Sequence, residues 1–331
     1  MEGRALDSIE SRAAYAREDG TACGSIFPGA ALGSQRQPVT LEDAMNDEAL
    51  SKKPTPDAAE LDAFFPSPFS LSQWTSPRSN LEGADYQTRY KGNRKVLVIC
   101  ADERYLPTDN GTLFSTGNHP VETLLPMYHL HKAGFDFDIA TLSGEMAKFE
   151  FWAMPRQDEA ITGLHRQYLD RFRKPHKLSD IVAKLDPDTN YAAVFIPGGH
   201  GALIGLPESR ELAALIRWVM DNDRYLISLC HGPAGFLALA VDGKSNPLKG
   251  YKICAFPDAA DRQTPQMGYM PGGLTWFFGE KLEAMGIKVV NADVTGAVHQ
   301  DRKVLTGDSP LAANALGKLS AVTLLKELAG A

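Results

Sequence analysis

RYLISLCHGPAGFLALA, residues 224–240, is the stretch whose reading decides the fold. Its first half is an apolar run of strand length, Cys230-His231-Gly232-Pro233 turns the chain, and an apolar helix follows at once. A tight strand-to-helix turn of this kind holds its apical side chain out at the carboxyl edge of a parallel sheet. The free N–H groups and positive end of the following helix favour a thiolate there, so Cys230 is expected to be exposed and nucleophilic. Cys100 and Cys254 sit inside strand-like runs, where a cysteine is an ordinary small buried hydrophobe.

Working outward, the same punctuation recurs. KVLVIC (95–100), FDFDIAT (135–141), YAAVFIPGG (191–199), YKICAF (251–256) and IKVVNADV (287–294) are short apolar runs, separated by helical stretches at about 119–133, 208–222, 232–241 and 274–286. Strands alternating with helices imply an α/β fold with a parallel sheet covered on both faces. After GDSP a last helix is expected, with Asp308 or Ser309 as its cap and Pro310 in its first turn. VHQDRKVLTGD (298–308) reads as a hairpin added antiparallel at the sheet edge. Residues 143–187, rich in charge and carrying FEFWAMP, interrupt the alternation and read as an inserted cap or small second lobe. Residues 1–58 show no sustained period and read as an extension, within which Met45 offers an alternative start; the α/β unit is expected over 59–331.

Composition limits the partners. A net charge of -7 provides no field that would draw nucleic acid or an anionic membrane, and a stable nucleic-acid complex is not expected. No apolar run reaches the roughly 20 residues of a membrane helix, and the N-terminus lacks the apolar core of a secretory signal, so the expected address is the cytoplasm. The four cysteines show no CxxC pairing and read as reduced thiols.

A thiol at the turn needs a base, and the base needs an orienting carboxylate. His231 is adjacent in sequence, while Asp258 and Asp261, just after the next strand, reach the same sheet edge; either is equally suited to capping a helix. Gly198-Gly199 in FIPGGHG ends another strand where backbone N–H groups can approach a ligand, a candidate oxyanion donor beside the N–H of His231.

ADERYLPTDNG (101–111), STGNHPVETLLP (115–126), KFEFWAMP (148–155), FIPGGHGALIGLPES (195–209), ISLCHGPA (227–234), ICAFPDAAD (253–261) and GYMPG (268–272) occur in this order. Over residues 60–330 the chain resembles the heat-shock protein 31 family, also called glyoxalase III or protein/nucleic-acid deglycase, within the ThiJ/PfpI superfamily. The resemblance implies a homodimer of flavodoxin-like α/β sandwiches with a small extra lobe. It further implies glutathione-independent glyoxalase and deglycase activity on small reactive aldehydes, glycated proteins and nucleotides, and holding of unfolded proteins. The implied triad falls on Cys230, His231 and Asp261, and the active-site glutamate on Glu122. No cofactor is implied for the chemistry. A zinc site is implied at His131 and Asp136, where the family's usual glutamate is an aspartate. Its third position falls on Tyr168, with His165 one turn earlier as a substitute.

Two other readings compete. A chaperone acting without the thiol would use apolar surface, for which FFPSPF (64–69) and FEFWAMP are candidates. A glutamine amidotransferase or peptidase would need a late His-x-Glu, for which His299-Gln300-Asp301 is the nearest match, in a predicted hairpin where such residues are ordinary.

Overall fold

The computed structural model describes residues 50–328. Of the extension expected over 1–58, residues 1–49 lie outside the described residues. Within the remainder, Thr55–Pro56 already pairs antiparallel with Ala63–Phe65.

The central sheet has seven strands, numbered here in chain order: β1 Lys95–Ile99, β2 Phe137–Thr141, β3 His176–Lys177, β4 Tyr191–Ile196, β5 Tyr225–Leu229, β6 Val298–Asp301 and β7 Val304–Gly307, in spatial order β6-β7-β5-β4-β1-β2-β3. All neighbours are parallel except β6 and β7, the antiparallel hairpin that the sequence predicts. Side chains alternate between faces with the strand period of two. Leu97, Ile99, Val194, Ile196 and Leu226 enter one core, whereas Val96, Val98, Phe195, Ile227 and Leu229 enter the other. Helices Arg210–Asp221 and Phe278–Ala284 cover the first face, and Pro120–Lys132 and Ala313–Leu328 cover the second. This is a flavodoxin-like α/β sandwich. Strand order reverses at β1, and in such sheets the crevice beyond the carboxyl ends at the reversal is where ligands bind.

Two of the six runs read as strands lie outside this sheet. Lys252–Ile253 and Lys288–Val289 pair only with each other, in parallel. The outer side of β7 belongs to β6, which a short turn at Arg302 (φ 54°) brings in from the adjacent chain. Beyond Ile253 the chain touches β7 through a side chain, the Cys254 N–H donating to Thr306 Oγ1 at 2.8 Å. Asp308 does not cap the last helix. Its carboxylate accepts from the N–H groups of Thr295, Gly296 and Ala297, at 2.8, 3.1 and 3.0 Å.

A second, four-stranded sheet joins Thr55–Pro56, Ala63–Phe65, Leu113–Ser115 and Tyr105–Pro107. Residues 143–187 contribute the edge strand β3 and bury Ile161, Leu164 and Phe172 in the same core as Val96 and Val98. FFPSPF and FEFWAMP are largely drawn inward as well: Phe64, Phe65 and Phe69 are half-buried and Phe149 is buried, leaving Phe151 exposed.

Candidate active site

Cys230 sits at φ 59°, a left-handed conformation that a residue with a Cβ rarely adopts. Both neighbours hold the turn: the Cys230 N–H donates to Gly307 O at 3.0 Å, and its carbonyl accepts from the Phe256 N–H at 2.9 Å. A strained, non-glycine apex at a strand-to-helix turn is the geometry of a nucleophile elbow. The segment that follows, Gly232–Ala240, winds as a 3-10 helix.

The structure brings His231 onto the thiol despite their adjacency. His231 Nδ1 lies 3.2 Å from Cys230 Sγ, and Nε2 lies 3.0 Å from Asp261 Oδ2. Of the two aspartates, Asp261 takes the orienting position. Asp258 caps the Phe278–Ala284 helix instead, accepting from the N–H groups of Gly279 and Glu280 at 3.0 and 2.8 Å. Asp261 also accepts from Nε2 of a second histidine, His200, at 3.1 Å, and the two imidazole centroids are 4.0 Å apart. Burial works to raise the Asp261 pKa, but the His231 charge and the hydrogen bonds from both histidines outweigh it and hold the carboxyl below the usual range.

Glu122 lies in the first turn of the Pro120–Lys132 helix, which is capped by His119. Its carboxyl lies beside Cys230 and the Gly199 amide, both of which favour its charged form. Gly198 makes room for that approach: a Cβ there would lie 2.0 Å from Glu122 Oε2 and 2.7 Å from Cys230 Cβ. The Gly199 amide, expected as an oxyanion donor, lies beside the Glu122 carboxyl.

The thiol differs from expectation in its setting. Cys230 is 4% exposed, and burial, then the charge of Glu122 beside it and that of Asp261, push its pKa well up. Burial likewise raises Glu122 well above the carboxylate range. Two negative charges side by side without water are costly, so the resting thiol keeps its proton until His231 takes it.

Glu150 and Tyr269 lie close to His200. Glu150 is fully buried, and burial raises it to about 7. The Tyr269 ring packs against His200, Phe114 and Trp152 with centroids 5.7, 5.6 and 5.7 Å apart. Sequence reasoning missed these two and His200, although each stands in a motif quoted above.

The structure brings His131, Asp136 and Tyr168 of the implied zinc site together, but as a hydrogen-bonded cluster. Tyr168 donates its hydroxyl to Asp136 Oδ1 at 2.9 Å and stands 3.3 Å from His131 Nδ1, and the Arg171 guanidinium pairs with the same Asp136 oxygen at 2.9 Å. His165 is elsewhere, its ring packed among Phe149, Phe151 and Phe172. A guanidinium on the carboxylate and a phenol in place of an imidazole do not fit a zinc ion. Among the described residues the group with metal-ligand proximity is His200, His231 and Asp261, whose ligand atoms lie within 4.8 Å of one another. Both histidine Nε2 atoms there are committed to Asp261 as donors. The late His299-Gln300-Asp301 lies on β6, with Asp301 bound to Arg302 and to the Lys252 N–H.

A doubly wound α/β sheet with a cysteine elbow at its carboxyl edge defines the class: a flavodoxin-like α/β protein with a cysteine at the nucleophile position. No family model matches the chain. It is 64% identical over 280 residues, 85% of its length, to the "Protein/nucleic acid deglycase HchA" of Escherichia coli O1:K1 / APEC, covering 98% of that protein. The protein of the same name from Shigella boydii serotype 18 matches at the same 64% identity, with 85% and 98% covered. The crystal structure of glyoxalase III from Candida albicans superposes with a TM-score of 0.56 at 21% identity, over 70% of this chain and 97% of that one, a likeness of fold. The chain belongs to the protein/nucleic acid deglycase HchA family.

Proposed function

We infer that this chain is a cysteine-dependent deglycase and glutathione-independent glyoxalase, acting on methylglyoxal, glyoxal and their early adducts on proteins and nucleotides. The observation that carries the reading is the unbroken chain Cys230 Sγ, His231 Nδ1, His231 Nε2, Asp261, with the Glu122 carboxyl against the same sulfur.

Asp261, ionised and able only to accept, requires the proton on His231 Nε2, which leaves Nδ1 free to accept the thiol proton. Sγ then adds to the aldehyde carbon, giving a hemithioacetal. Glu122, beside the sulfur and protonated at rest, gives its proton to the aldehyde oxygen as Sγ adds, and the carboxylate so formed is placed to take the proton on the carbon that Sγ has attacked. Rearrangement gives a thioester of the 2-hydroxy acid, and water releases lactate or glycolate. With an adduct as substrate, the amine or thiol departs unmodified.

A reducing compartment such as the cytoplasm suits a site whose nucleophile is a thiol, and Cys100, Cys230 and Cys254 are all free. No helix of the described residues is long and apolar enough to cross a membrane. Homodimerisation, expected from the family resemblance, is read by light scattering of the full chain. Holding of unfolded proteins is a second reading, supported by Phe151 and Met146, exposed on one segment at 47% and 43%. Protection against aggregation that survives in Cys230→Ser would separate it from the chemistry.

The deciding experiment follows methylglyoxal and lactate without glutathione. Wild type is expected to form lactate and Cys230→Ser none; lactate from the serine variant at the wild-type rate would sink the assignment of the nucleophile.

A further inference from the structure

A second buried acid stands near His200 and Glu122 with no task in the chemistry above. Glu150 Oε1 accepts from the Thr116 hydroxyl at 2.6 Å, and its Oε2 has no hydrogen-bond partner. Glu122 is built alike: buried, and with Oε2 lacking a hydrogen-bond partner. Buried carboxyl oxygens are costly to leave unpaired, and such orphans point to an absent ligand.

The two acids are placed by the same pieces of chain. Successive amides of one loop, Gly199 and His200, lie near enough to Glu122 and Glu150 respectively to favour their charged forms. The Ser115–Glu122 stretch supplies Glu122 itself, the Thr116 hydroxyl, and the Asn118 carbonyl that accepts the Glu150 N–H at 3.1 Å. The charge of Glu150 is felt at Glu122. The charges of Glu150, Cys230, Glu122 and Asp261 are all felt at Tyr269, whose ring packs on His200 with centroids 5.7 Å apart.

An α-oxoaldehyde has two adjacent carbonyls, and its conversion needs acid at both. We propose that Glu150 is the acid for the second carbonyl oxygen of an α-oxoaldehyde, while Glu122 serves the carbon bonded to Cys230; this rests on the carbonyl chemistry inferred above. After thiol addition, R–CO–CH(OH)–S–Cys loses the proton on its sulfur-bearing carbon to Glu122 as Glu150 protonates the ketone oxygen, giving the enediol. A proton then returns to the former ketone carbon and one leaves the oxygen on the sulfur-bearing carbon. The resulting thioester, R–CH(OH)–CO–S–Cys, takes up water to release the 2-hydroxy acid and the thiol. The sum is R–CO–CHO plus water to R–CH(OH)–COOH, with no external oxidant. A simple monoaldehyde has no second carbonyl for Glu150 to serve, and its adduct on Cys230 would only reverse.

The test compares wild type, Glu150→Gln and Glu150→Asp. Lactate formation from methylglyoxal is followed from pH 5.5 to 9, and alkylation of Cys230 by iodoacetamide is measured alongside. The ionisable groups facing Glu150 are His200, Arg104, Glu122 and Tyr269, and all are retained in the variants. Glu150→Gln is expected to lower kcat about 100-fold or more, to erase the wild-type decline above neutral pH, and to leave the alkylation rate unchanged. Glu150→Asp should regain part of kcat together with the alkaline decline. The proposal is overturned if Glu150→Gln keeps the wild-type kcat, if kcat falls with the profile unchanged, or if alkylation falls in proportion. Absence of lactate from wild type overturns instead the carbonyl chemistry beneath it.

Discussion

His231 uses its two nitrogens for different tasks, and Asp261 decides which nitrogen does which. With Asp261 ionised, Nε2 carries hydrogen and Nδ1 faces Sγ as a base. Asp261→Asn keeps the shape but can offer its amide N–H to Nε2, moving the imidazole proton to Nδ1, where it can no longer accept from the thiol. We expect kcat for methylglyoxal to fall on the order of 10³ to 10⁴-fold with little change in KM. A loss under tenfold in steady-state assays would argue against this tautomer logic. Cys230, His231, Asp261 and Glu122 were legible because a turn, a neighbour and the family motifs all point to them. Glu150 and His200 were not, since a glutamate beside aromatics and a histidine between glycines carry no local signal; only the folded loop sets them side by side. Nor did the helix-end argument foresee a protonated thiol, because burial and two nearby carboxyls outweigh a positive helix end.

Elements carry the departure from the implied metal site. His131 ends the Pro120–Lys132 helix, Asp136 precedes β2, and Tyr168 joins helices Glu159–Gln167 and Leu169–Arg173. A phenol donating to Asp136, with Arg171 on the same oxygen, ties these three elements without an ion. Zinc or EDTA is therefore expected to leave the wild-type melting temperature unchanged. Tyr168→His places an imidazole beside His131 and Asp136, and should gain a zinc-dependent rise of several degrees, since a ligand at 100 times its Kd adds about 2.7 kcal/mol. Calorimetry with and without zinc reads both, and a wild-type rise with zinc would refute the reading. The hairpin and the long helices were legible from turn residues and period. The Lys252–Ile253 and Lys288–Val289 pair was misplaced, because apolar runs announce strands without announcing neighbours, and the local hairpin had already taken the edge of β7.

At the scale of the whole molecule, the alternation of strands and helices was enough for the sandwich. The four-stranded sheet was not foreseen, since its strands are two or three residues long, too short for a period to show. The closed site also sets how stability responds to pH. Five histidines, His119, His129, His131, His165 and His200, are lowered from 6.5 by burial; the folded chain resists protons that the unfolded chain accepts, so their contribution is present above pH 6.5 and is lost as pH falls. Glu150 acts the other way. Raised from 4.5 to about 7, it contributes stability that is whole below pH 4.5 and is lost as pH rises through 7. Histidines outnumber such acids, so urea stability should fall from neutral pH toward pH 5, with Glu150 softening the fall. Glu150→Gln removes that opposing group and should steepen it. The stability difference between wild type and variant is expected to change by roughly 3 kcal/mol between pH 5 and 8. Urea titrations of both proteins at the two pH values measure it, and parallel curves would mean that Glu150 titrates alike in the folded and unfolded chain.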